Sequence, residues 1–165
     1  MHNSKKVILI HGLEGSSQGY KAKLLRDIFP GMFVPDFQGS LAERMTHLET
    51  ILLPDRPWIM IGSSFGGLMA ALYASRYPHL VRKLILLAPA LIWPQFRAVP
   101  APIPTPTCIY HGSRDEVIPV EAVCHLAEEK FSRLDLRVVD DDHRLHQTVR
   151  QIDWPDLVDA GTSTC

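Results

Sequence analysis

Two rhythms of apolar and polar positions alternate along the chain. Short runs rich in Val, Ile and Leu occur at Val7 to His11, Phe33 to Phe37, Trp58 to Ser63, Lys83 to Ala88, Thr107 to His111 and Leu136 to Val139. Each is bounded by Gly, Pro or Asp and predicts a strand. Runs that are apolar without alternation suit strands buried on both faces, the condition of a mainly parallel sheet covered by helices.

Longer stretches with helical spacing separate these runs. Lys21 to Phe29 places Leu24, Leu25 and Ile28 on one face. Ser40 with Glu43 three residues later forms a capping box, opening a helix that ends before Pro54. Gly66 to Tyr77 is apolar nearly all round, with small residues at 66, 67, 70, 71 and 74, as suits a helix pressed on a central sheet; Pro78 stops it. Val120 to Phe131 and Leu145 to Ile152 predict two more helices, and Trp154-Pro155 a docked turn before a fraying Gly-Thr-Ser-Thr end. Pro94 to Pro106 departs from both rhythms, and its prolines predict an irregular surface segment. The expected fold is a three-layer α/β/α sandwich with a mainly parallel sheet of about six strands, forming one domain over residues 1–165.

Composition narrows the function classes. Apolar residues make up 46% and charged residues 21% of 165, the balance of a chain that buries a continuous core. A net charge of -1 with scattered Lys and Arg carries no electrostatic footprint for nucleic acid. The start, Met1 to Lys6, leads into an apolar run too short for a signal peptide or a membrane span, which points to a cytoplasmic protein. Cys108, Cys124 and Cys165 have neither CxxC nor metal-ligand spacing and are expected to be free thiols.

The chemistry concentrates at Ile61-Gly62-Ser63-Ser64-Phe65-Gly66-Gly67, a G-x-S-x-G pattern between a predicted strand and a predicted helix. A sharp turn there lifts a serine hydroxyl off the sheet, and glycines two residues either side avoid collisions. The helix behind it favours developing negative charge. A serine hydroxyl needs a base to take its proton, and the base needs a third group to fix its tautomer. Gly112-Ser113-Arg114-Asp115 offers an acid after the fifth strand, and Asp142-His143-Arg144 a histidine after the sixth.

In that order, Ser64, Asp115 and His143, the chain resembles the α/β-hydrolase superfamily, and the likeness runs from His11-Gly12 to His143-Arg144-Leu145. The opening His11-Gly12-Leu13-Glu14-Gly15-Ser16-Ser17 is similar to that of short bacterial esterases. The resemblance implies Ser64 as nucleophile, His143 as general base, Asp115 as the acid that orients it, and backbone N–H groups of Leu13 and Phe65 as the oxyanion hole. It implies a carboxylic ester or thioester as small-molecule substrate, an acyl-serine intermediate and no cofactor. Against the larger members of that superfamily, the chain is expected to be a minimal core, without their two initial strands or a large helical cap.

Rival assignments follow from the same residues. His146, three residues beyond His143, is the other candidate base, and Glu116 or Asp140, Asp141 and Asp142 could orient the base, although a run of three acids usually forms a solvated turn. His143 with His146 and these acids could hold a metal, a weak pattern without further spaced ligands. His11 and His111 sit in His-Gly settings that suit structural hydrogen bonding. Trp93 and Phe96, with Val99 and Ile103, either line an acyl pocket or plug the edge of the core. A binding module without catalysis, an acyltransferase and a C–C bond hydrolase would use the same fold.

Overall fold

The computed structural model describes residues 6–52 and 57–160. Five parallel strands form one sheet in the order β1 (Lys6–Ile10), β2 (Trp58–Ser63), β3 (Val81–Leu87), β4 (Thr107–Gly112) and β5 (Leu134–Val139). Successive strand residues face opposite sides, so each apolar run feeds two cores. Ile8, Ile10, Met60, Leu84, Leu86 and Ile109 pack with one set of helices, while Val7, Leu9, Ile59, Ile61, Ile85 and Leu87 pack with the other.

The first set comprises α2 (Leu41–Ile51), α3 (Phe65–Arg76), α4 (Pro94–Arg97) and α5 (Val120–Lys130). The second comprises α1 (Tyr20–Ile28), α6 (His146–Gln151) and α7 (Trp154–Asp159). The three-layer sandwich expected from the sequence is thus the observed architecture. The Ser40 and Glu43 capping box closes reciprocally at the start of α2. In α3 every residue from Phe65 to Ala74 is buried, which explains its lack of a polar face.

The sixth expected strand, Phe33 to Phe37, shrinks to a single parallel bridge between Phe33 and Ile8. Phe33 donates to the Val7 carbonyl and accepts from Leu9. The next rung of a parallel ladder needs an N–H at position 35, and Pro35 has none. The Phe33 bridge still places this segment outside β1. The chain therefore moves outward after β1 and returns on its other side as β2, creating the strand-order reversal where open α/β sheets bind ligands.

Pro94 to Pro106 is mostly the exposed, irregular segment its prolines suggest, with a four-residue helix at its start and apolar side chains that anchor it to the core. Pro94 serves as the first residue of α4, where its missing N–H is harmless. Phe96, Val99 and Ile103 enter the core, and the buried Lys130 ammonium donates to the carbonyls of Arg97 and Val99. Trp154 to Asp159 is a helix rather than a turn. Cys124 is a free thiol, but Cys108 is disulfide-bonded, which corrects that expectation. The expectations for Cys165, the start of the chain, Pro54 and the Gly-Thr-Ser-Thr end fall at least partly outside the described residues. Among the described residues no helix is long and apolar enough to cross a membrane.

Candidate active site

Ser64 occupies the turn from β2 into α3 with φ 54° and ψ -115°, a left-handed conformation that a side chain rarely adopts. Such a residue stores about 1–3 kcal/mol of strain and persists only when its surroundings over-determine it. Here the Ser64 N–H donates to the Leu87 carbonyl at 2.9 Å, and its own carbonyl accepts from Gly67, Leu68 and Ala90. The flanking glycines allow the turn to close. A Cβ on Gly62 would lie 2.6 Å from the Gly66 carbonyl oxygen, and one on Gly66 would strike the Ile10 carbonyl oxygen.

His143 lies between β5 and α6, with its ring one-fifth exposed. Its Nδ1 is 2.7 Å from Oδ2 of Asp115 and its Nε2 is 3.0 Å from Oγ of Ser64. An ionised carboxylate only accepts, so Nδ1 carries the hydrogen and Nε2 presents its lone pair to the serine hydroxyl. The Asp115 side chain is fully buried in the loop after β4. Its Oδ1 accepts from the N–H groups of Val117 at 2.9 Å and Ile118 at 2.8 Å. The three side chains thus meet at the carboxyl ends of β2, β4 and β5.

Gly12, in the loop after β1, borders Ser64: a Cβ there would sit 3.4 Å from Ser64 Cβ and 3.9 Å from the Phe65 nitrogen. Leu13 follows it with an exposed side chain. Among the described residues neither the Leu13 nor the Phe65 N–H donates to a protein acceptor.

The rival residues are placed elsewhere. His146 stacks on Tyr20, with ring centroids 4.2 Å apart, and burial together with Lys21 and Arg144 holds its imidazole below the ordinary value. Glu116 is exposed. Asp140 pairs with Arg114 at 2.9 Å, and Asp142 accepts from the Arg144 N–H. No cluster able to hold a metal occurs among the described residues. His11 accepts the Phe37 N–H on Nε2 and lies 2.7 Å from the Gly12 carbonyl through Nδ1, a structural role as expected.

Trp93 is partly exposed and meets the Phe65 ring edge-on at 5.0 Å. Phe96 does not line a pocket. It is fully buried and stacks on Phe131, so its apolar surface is spent on core packing, which corrects its assignment to substrate binding.

Three further residues, of which the sequence singles out Asp141 and His111 but not Arg44, are buried around the site. Asp141, in the middle of the acidic run, is buried and accepts from the N–H and hydroxyl of Thr148 and from the Asp142 N–H. Burial pushes its carboxyl up, but these donors outweigh burial and hold it below the ordinary value. Arg44 is buried with its guanidinium 5.5 Å from the Phe65 ring centroid and its Nε donating to the Gly39 carbonyl. His111, at the end of β4, is fully buried against Asp115.

A family model for the α/β-hydrolase fold matches residues 38–103. Among solved structures, alpha/beta hydrolase domain-containing protein 10 from mouse is 21% identical at a TM-score of 0.78, over 94% of this chain and 90% of that one. A protein of the alpha/beta superfamily from Xanthomonas campestris pv. campestris is 28% identical at a TM-score of 0.76, over 89% and 92%. Est1E from Butyrivibrio proteoclasticus, solved with ferulic acid bound, is 17% identical at a TM-score of 0.68, over 89% and 87%. A search of curated proteins gives no match. With its elbow between β2 and α3 and its five parallel strands, the chain has the α/β-hydrolase fold.

Proposed function

We propose that the protein hydrolyses carboxylic esters or thioesters through an acyl-serine intermediate, with Ser64 as nucleophile, His143 as general base and Asp115 as the orienting acid. The observation that carries the reading is the continuous path from Ser64 Oγ through the His143 ring to Asp115 Oδ2, at 3.0 and 2.7 Å, starting from a strained elbow. The substrate is a small molecule and no cofactor takes part.

Ser64 Oγ attacks the carbonyl carbon as its proton passes to His143 Nε2. The carbonyl oxygen becomes an oxyanion, stabilised by the N–H groups of Phe65 and Leu13 and by the α3 N-terminus. Collapse of this intermediate breaks the bond to the alcohol or thiol, which leaves with the proton from His143. Water then attacks the acyl carbon while His143 takes its proton, and a second collapse frees the acid and returns the proton to Ser64. Throughout, Asp115 holds Nδ1–H and offsets the charge that forms on the imidazole.

Initial rates on p-nitrophenyl esters from acetate to palmitate test the reading, with Ser64→Ala and His143→Ala in parallel. The expected result is turnover that falls by ~10⁴–10⁶-fold in both variants. Folded wild-type protein that binds the esters without turnover would instead support a binding module. Equal turnover in wild type and Ser64→Ala would place the chemistry elsewhere.

A further inference from the structure

We propose that His111 is a positioning residue of this site: a second imidazole whose Nε2–H holds the Ile118 carbonyl, and with it the turn whose N–H groups grip the Asp115 carboxylate. The inference rests on the proposed roles of Ser64, His143 and Asp115 and adds a residue to them.

His111 is fully buried at the end of β4, four residues before the acid. Its Nε2 lies 3.0 Å from the Ile118 carbonyl oxygen and 3.2 Å from Asp115 Oδ2. A carbonyl and a carboxylate oxygen only accept, so a bare lone pair on Nε2 would face two others; Nε2 therefore carries a hydrogen. The other ring nitrogen, Nδ1, is buried with no hydrogen-bond partner among the described residues. A buried nitrogen without a partner is unfavourable, and an apolar ring of similar size would avoid it. The polar contacts that offset it all run through Nε2, towards the acid and its loop.

These contacts complete the surroundings of Asp115. Oδ1 is held by two backbone N–H groups, and Oδ2 accepts from the Nδ1 of His143 at 2.7 Å with the Nε2 of His111 3.2 Å away. Asp115 is the charged group facing His111, and no other acidic side chain lies within ion-pair distance of it among the described residues. Gly112, between the two residues, has no Cβ to obstruct the Asp141 and Asp142 carbonyls, so the loop that carries His143 closes over the same turn. A carboxylate bound on Oδ1 alone could still turn about its own axis and take Oδ2 out of line with His143. The His111 N–H opposes that movement by fixing the Ile118 end of the turn that binds Oδ1, with its positive edge 3.2 Å from Oδ2, and small misplacements of such a group carry large rate penalties.

The test is the second-order rate of Ser64 phosphonylation by a fluorophosphonate, measured from pH 5 to 9 alongside a thermal melt. The variants are His111→Phe, His111→Gln, His111→Asn, Asp115→Asn and the double variant His111→Phe/Asp115→Asn. His111→Phe is expected to slow labelling by about 10–100-fold. His111→Gln, whose amide N–H reaches the position of Nε2, is expected to retain most of the rate, whereas the shorter His111→Asn is not. In the Asp115→Asn background, His111→Phe is expected to add little, because its effect passes through the carboxylate.

A His111→Phe variant that labels at the wild-type rate, or that slows labelling by the same factor in both backgrounds, would overturn the proposal. Should His111→Phe fail to fold, the Gln and Asn pair decides, and equal rates in those two would overturn it. If Asp115→Asn itself leaves labelling unchanged, the reading of the whole site fails first and is distinguishable from failure of this one.

Discussion

A single backbone conformation makes Ser64 usable. With φ at 54°, the residue sits where a side chain is disfavoured, and four backbone hydrogen bonds hold it there. The glycines around it are demanded by approach rather than by flexibility. At Gly66 the Ile10 and His11 carbonyl oxygens occupy the space a Cβ would need, and both belong to the sheet and its exit loop, which cannot yield easily. Gly66→Ala is therefore expected to destabilise the fold by about 1–3 kcal/mol, read as a lower urea midpoint. An unchanged midpoint would mean that the elbow is looser than its contacts indicate. Gly31, where a Cβ would meet nothing within 4 Å, is the matching control.

Among elements, the one that delivers His143 depends on a residue the sequence marked only as one acid in a run of three. Leu145 caps α6 in a left-handed conformation and has no side-chain acceptor to offer. The Asp141 carboxylate takes over that task for Thr148, the third residue of the helix, and so ties the His143 loop to the start of α6. Because its carboxyl is held below the ordinary value, its contribution is present above about pH 3.9, the ordinary Asp pKa, and is lost as pH falls through the lowered one. Asp141→Asn is expected to cost about 1–3 kcal/mol at pH 7, with the gap to wild type narrowing below about pH 4. Chemical denaturation at several pH values checks this, and a gap independent of pH would show that the charge of Asp141 is not what matters.

Three neighbouring aspartates read as a solvated turn, and for Asp140 and Asp142 that is what the structure holds. Nothing local distinguishes the middle one. Its partner is seven residues away, and only the folded loop brings them together. Similar limits explain Phe33 to Phe37, where a strand composition is cut short by the missing N–H of Pro35. They also explain Phe96, whose burial depends on Phe131 in a distant part of the chain.

At the scale of the molecule, what the sequence made legible was order. The G-x-S-x-G turn, the acid after Gly112 and the histidine after the last strand each sit at a punctuation mark of the α/β alternation. In a parallel sheet all such marks fall at the same edge, so residues far apart in sequence share one face. Their mutual geometry was not legible. The separations of 3.0 and 2.7 Å depend on the register of β2, β4 and β5 and on the loops beyond them, which no local pattern encodes. The same geometry sets Trp93 against the ring of Phe65, the residue after the serine, and leaves Phe96 in the core.

The central claim is that Ser64 is an activated nucleophile, and covalent labelling by a fluorophosphonate tests it most directly. Intact mass followed by peptide mapping is expected to show one phosphonyl group on Ser64 in the wild type. No adduct is expected in Ser64→Ala, and His143→Ala is expected to label far more slowly while remaining folded. A folded wild-type protein that takes up no label, or an adduct that persists in Ser64→Ala, would contradict the claim.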